Sequence, residues 1–127
     1  MLSPDKPPSP TAIFLDSGAQ ENIIINPELL DEGTHEPCQR SIILPGIVDG
    51  AREVSSMGCG TIFGMQAYYC PDATANLISY GQLLRRGYEM TTEDYGKRMC
   101  ARMHSHLYLE AEMHDDFMLS HMQTRLY

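Results

Sequence analysis

Asp16, Ser17 and Gly18 put a carboxylate, a hydroxyl and a residue without a side chain at three successive positions, directly after the apolar run Ala12 to Leu15. A carboxylate at the end of a rigid strand can activate water if a tight turn brings a symmetry-related carboxylate alongside. Gly18 would let the backbone approach a substrate and a partner turn, and the Ser17 hydroxyl can lock that turn by hydrogen bonding across the axis. Taken alone, the triplet also reads as a surface turn in which Asp16 bonds its own backbone. The chain holds one such triplet, so a pair of these carboxylates requires two copies of the chain.

Other reactive side chains are dispersed. His104, His106, His114 and His121 together with the cysteines offer metal-binding atoms, but His104 and His106 on one strand supply only two ligands and no motif fixes the others. Solvent-facing histidines are the competing reading. Cys38, Cys59, Cys70 and Cys100 never form a C-x-x-C pair, which fits reduced thiols in a cytosolic protein. The even count also fits two disulfides in a secreted protein, against which stands the lack of an apolar leader in residues 1–11. A formal charge of -8, with Arg85-Arg86 and Lys97-Arg98 as isolated basic pairs, argues against a nucleic-acid surface. No apolar run is long enough to span a bilayer.

The elements around the triplet read mostly as strands. Residues 1–11 are proline-rich and suit a linker. Ala12 to Leu15 has the pattern of a strand buried on both faces, and Ile23 to Ile25 that of a second. Asn26 and Pro27 open a short helix through Leu30. Ser41 to Leu44 and the stretch from Val54 flank a turn-rich segment, a hairpin with a glycine-containing tip. Short strands follow around Gly58, Gly60 and Gly64, then at Gln66 to Cys70 and Asn76 to Ser79. Gln82 to Arg86 reads as a helix capped by Gly87. Strands at Tyr88 to Thr92 and Lys97 to Ala101 flank the turn at Asp94-Tyr95-Gly96. The tail from Leu107 to Tyr127 is ambiguous, a helix being one arrangement that its Met, Leu and His spacing allows. With nine methionines and no tryptophan, the core of a single domain must rest on Met, Ile, Leu and Tyr.

Two stretches in order, AIFLDSGAQENIII at 12–25 and YYCPDATANLISYGQLLRRGYEM at 68–90, resemble the protease domain of copia-type (Pseudoviridae-like) retrotransposon Gag-Pol polyproteins. The intervening IVDGAREVSSMGCGTI is similar to that family's Asp-Gly hairpin and the strand after it, so the likeness covers about residues 12–92. DSGAQ also looks like the retroviral-like domain of ubiquitin-linked DNA-damage-inducible proteases. The sequence departs from the family at Gln20-Glu21-Asn22, where a Ser or Thr and then a His is common. It departs again at Ser79, where retroviral members carry Gly and copia-type members often Ser.

The resemblance implies a retropepsin-like, mostly β closed barrel with one short helix after the C-terminal ψ-loop strand. It implies a protease domain at 12–106 and an extension or junction at 107–127. It further implies an aspartic endopeptidase active as a homodimer on peptide or polyprotein substrates, without cofactor or metal. Its location would be cytoplasmic or within virus-like particles. Asp16 would be the catalytic acid, with Ser17 and Gly18 as its loop. Ala19, the flap residues Gly46, Ile47, Val48, Asp49 and Gly50, and Ile78 would contact substrate, and Leu77, Ile78 and Ser79 would pack beside the loop. Glu21 would bring a further acid near it. The alternative is a retrotransposon-derived barrel that has lost catalysis and serves in dimerisation or peptide binding.

Overall fold

The computed structural model describes residues 12–16, 18–44, 52–73, 75–113 and 122–126. The linker at 1–11, Ser17, the flap residues 46–50, His114 and His121 lie outside the described residues. The strands are β1 (Ile13–Asp16), β2 (Asn22–Ile24), β3 (Glu36–Pro37), β4 (Ser41–Leu44), β5 (Arg52–Ser55) and β6 (Gly58–Ile62). They continue as β7 (Met65–Tyr69), β8 (Asn76–Ser79), β9 (Glu89–Glu93), β10 (Arg98–Met103), β11 (His106–Met113) and β12 (Met122–Leu126). One α-helix, α1 (Tyr80–Arg86), and a short 3-10 helix at Pro27–Leu29 complete the set. No helix among the described residues is long and apolar enough to cross a membrane.

The fold is therefore mostly β with one short helix. Ten strands form one sheet in the order β3-β6-β7-β2-β8-β1-β12-β11-β10-β9, while β4 and β5 pair separately as a hairpin. The sheet ends at β3 and β9 rather than joining them, so the closed barrel expected from sequence is an open ladder in its hydrogen bonding. Both edges resist further pairing: β3 has two residues, one of them Pro37 without an N–H, and β9 is flanked by Glu89 and Glu93.

Alternation along β1 decides where the core lies. Ile13 and Leu15 enter the main cluster with Ile24, Ile78, Leu83 and Leu109, whereas Phe14 packs on the opposite face with Ala12, Ala75 and Leu77. Helix α1 begins where Ser79 caps it, its side chain accepting from Gln82 N, and ends at Gly87 with φ 103°. That left-handed value is a conformation suited to glycine.

The ambiguity of the tail resolves to strand where the tail is described, and the helix option falls there. Residues 106–113 and 122–126 are strands of the main sheet, β11 pairing with β10 and β12, and β12 pairing with β1. Leu109 and Ala111 are fully buried in the main core, so the segment past residue 106 contributes to the same interior. The physical reason is the turn before it. Met103 pairs with His106 across a two-residue tip, His104-Ser105, with φ of 51° and 68° and no glycine. Positive φ at both central residues is the type I′ requirement that matches sheet twist, here met by residues that resist it.

Two stability outcomes follow. Ser105→Gly removes the side chain from a left-handed position and raises stability by up to about 1 kcal/mol; an unchanged thermal midpoint would show that this tip carries no strain. Burial first, and the Asp72 carboxylate second, push the Cys70 thiol from 9.0 up to about 11. In that window the unfolded chain sheds a proton that the folded chain keeps, so stability falls as pH rises. Burial raises Cys59, Cys100 and Tyr88 in the same direction. Urea midpoints measured from pH 8 to 11 should decline, and Cys70→Ala should make the decline shallower by on the order of 2 kcal/mol.

Candidate active site

Asp16 is the last residue of β1, a strand hydrogen-bonded on both sides: parallel to β8, with Leu15 opposite Ile78 and Asp16 opposite Ser79, and antiparallel to β12. Sandwiched this way, β1 holds its terminal carboxylate on a fixed base. Gly18 N donates to Asp16 Oδ1 at 2.8 Å, orienting the carboxylate across its own turn. A methyl group on Gly18 would lie 3.4 Å from Asp16 Oδ1, an ordinary contact. The glycine is therefore not there to relieve a local clash.

The loop from Asp16 to Asn22 returns so that β2 pairs with β8 on the side away from β1, giving the local order β2-β8-β1. Only Ile23 and Leu77 face each other in the β2–β8 ladder. Side chains complete the joint. Fully buried Asn22 accepts from Ser79 N at 2.8 Å and donates to Gln66 O at 2.9 Å and Gln82 Oε1 at 2.7 Å. Equally buried Asn76 accepts from Ile25 N at 2.7 Å and donates to Ala12 O at 2.8 Å. Ser79 Oγ donates to Ala19 O at 2.7 Å, and Gln82 Nε2 donates to Gln20 O at 2.6 Å. The loop after the triplet is therefore tied to β8 and α1 through Ala19, Gln20 and Asn22.

Comparison with protein-family models, with curated proteins and with solved structures returned no match.

Asp16, Gly18 and Ala19 come together as one loop, with Leu77, Ile78 and Ser79 beside it. Ile78, however, is fully buried in the main core, where no ligand reaches it. By alternation the face of β8 shared with Asp16 is that of half-buried Leu77, which replaces Ile78 as the candidate wall residue. The same period of two, read outward from Asp16 in sequence, carries that signal. Ala19 is also buried, and its carbonyl serves Ser79. Of the candidate flap, the paired strands β4 and β5 are described, in register from Ser41 opposite Ser55 to Leu44 opposite Arg52.

Sequence reading missed Arg40. It lies at the base of this hairpin, 3.8 Å from Glu21 Oε1, donates to the Tyr68 hydroxyl, and stacks over the Tyr68 ring at 5.2 Å. Glu21 is thus turned toward a cation at the hairpin base. Among the described residues no three His, Cys, Asp or Glu side chains are grouped so as to hold a metal ion. His104 occupies the hairpin tip, and His106 packs edge-on against Tyr108 with ring centroids 4.5 Å apart.

Asn22→Leu keeps the volume but strands the buried Ser79 N–H and the Gln66 carbonyl. Such groups cost roughly 1–3 kcal/mol each. A loss of about 3 kcal/mol in urea unfolding is expected, and a loss below about 1 kcal/mol would mean that the asparagine does not carry the joint.

Proposed function

We propose that the chain is one subunit of a homodimeric aspartic endopeptidase of the retropepsin-like, copia type, with its barrel left open in hydrogen bonding. The observation that carries this reading is the strand crossing at the triplet: β1 and β2, joined by the Asp16 loop, both pair with β8, and Asp16 stands opposite Ser79. This strand order supports the ψ-loop expected from the family resemblance, and it is built from the two stretches of sequence that suggested it.

In the dimer, two Asp16 side chains meet across the axis. Like charges a few ångströms apart do not both ionise, so the pair shares one proton. The ionised member takes a proton from water as that water attacks the scissile carbonyl carbon. The protonated member hydrogen-bonds the carbonyl oxygen, and a proton then passes to the departing amine. Activity on the acid side of neutrality follows. The substrate lies extended under the β4–β5 hairpin, bonding through its backbone, with apolar side chains against Leu77.

The test is hydrolysis of a fluorogenic library of extended peptides with apolar central residues, using the full chain. Asp16→Asn should lower the rate by on the order of a thousandfold or more. A pepstatin-type inhibitor should block the wild type, and specific activity should rise with protein concentration as dimers form. A folded, dimeric wild type that cleaves nothing between acid and neutral pH would instead point to a peptide-binding module.

A further inference from the structure

We propose that the open cavity beside the Asp16 loop is a docking site for an extended, acidic peptide segment. It measures about 710 Å³ and lies between Gln20 and Glu21, the β6–β7 turn with Gln66, and the α1 residues Gln82, Arg85 and Arg86. That volume falls within the range of roughly 300–1,000 Å³ usual for binding pockets.

Charge is the first ground. In a chain with 17 acidic and 9 basic residues, Arg40, Arg98 and Arg102 are each paired with carboxylates. Arg85 and Arg86 form no ion pair with another described residue, and the one acid lining the cavity, Glu21, is engaged by Arg40. Two guanidinium groups without a carboxylate therefore share one wall.

Their seating is the second ground. A Cβ at Gly64 would lie 2.7 Å from Arg86 Nη2, and one at Gly81 would lie 3.2 Å from Arg85 Nη1. Each guanidinium thus rests over a glycine. Gly81 lies in the first turn of α1, one helical turn before Arg85. The Gly64 turn is itself pinned to the end of α1, because Tyr88 donates its hydroxyl hydrogen to Phe63 O at 3.1 Å. An exposed guanidinium beside a glycine has room to turn its fork toward a carboxylate.

The remaining lining selects a peptide over a lone anion. Exposed Gln20 offers an amide suited to a peptide backbone, and Gln82 is fixed by its bonds to Gln20 and Asn22. The cavity is open along its length, which suits a strand-like segment rather than an enclosed ion.

The measurement is fluorescence anisotropy with a labelled peptide of alternating glutamate and threonine and its glutamine counterpart. Both are titrated with full-length Asp16→Asn chain, so that hydrolysis does not intervene and the result is independent of the peptidase reading. The glutamate peptide should bind at least about tenfold tighter. Arg85→Gln/Arg86→Gln, verified as folded by circular dichroism, should erase the difference, and Lys97→Gln should preserve it. Equal affinity for the two peptides, or an unaffected double variant, would sink the proposal. So would displacement of the peptide by inorganic phosphate at matched ionic strength.

Discussion

Three strands, two parallel and one antiparallel, converge on one short loop, and two buried asparagines hold them there. The β2–β8 ladder is a single residue pair, too short to fix its own register. Asn22 and Asn76 supply what the ladder lacks, each bonding the backbone of neighbouring segments from an interior where an unmet polar group is costly. Because Asn22 spans from Ser79 to Gln66 and Gln82, the position of β2 is coupled to α1 and β7 as well as to β8. The position of the Asp16 carboxylate is inherited from this joint.

The floor of the site and its mouth are built differently. The floor is interior sheet, with Ile13, Leu15 and Ile78 locked in the main core. The mouth is bounded by polar contacts that water can reach, such as the Arg40 pairing with Glu21 and the Ser41 hydroxyl bonded to Glu53. Burial holds geometry within narrow limits, whereas exposed ion pairs contribute little and exchange readily. In the proposed reading, a carboxylate set on such a floor and a hairpin tied by exposed contacts would suit a reaction that needs fixed catalytic groups and an entrance that yields to a peptide.

Much of this was legible in the sequence where local chemistry and tertiary need agree. The apolar run before Asp16, the Asn26-Pro27 start, the strand at Asn76 to Ser79 and the Gly87 cap each carried a physical mark, and the structure has elements at all four. The tail stays ambiguous in sequence because its hairpin tip, His104-Ser105, has none of the usual turn residues, and because methionines and leucines at short spacing imitate a helix. Yet Leu107, Leu109, Ala111 and Met113 alternate with His106, Tyr108, Glu110 and Glu112, a strict period of two. Ile78 and Leu77 show the same dependence at smaller scale, one buried in the main core and the other on the opposite face, since one residue of register decides which face a side chain meets. Arg40 and Asn22 were illegible for another reason: their partners lie far along the chain, and nothing local announces them.

The flanking of β1 also limits how a second copy could meet Asp16. With β8 on one side and β12 on the other, β1 offers no free edge, so a partner cannot approach by extending the sheet through that strand. It must come end-on, over the turn that Gly18 leaves bare. Neither the backbone angle nor crowding at Gly18 requires glycine within the subunit, so any need for it would lie in contacts with another molecule. In the proposed dimer that need is the other turn. The C-terminal strand, far from being an appendage, then protects the geometry of the site by occupying the edge of β1 at which a stray strand would otherwise add.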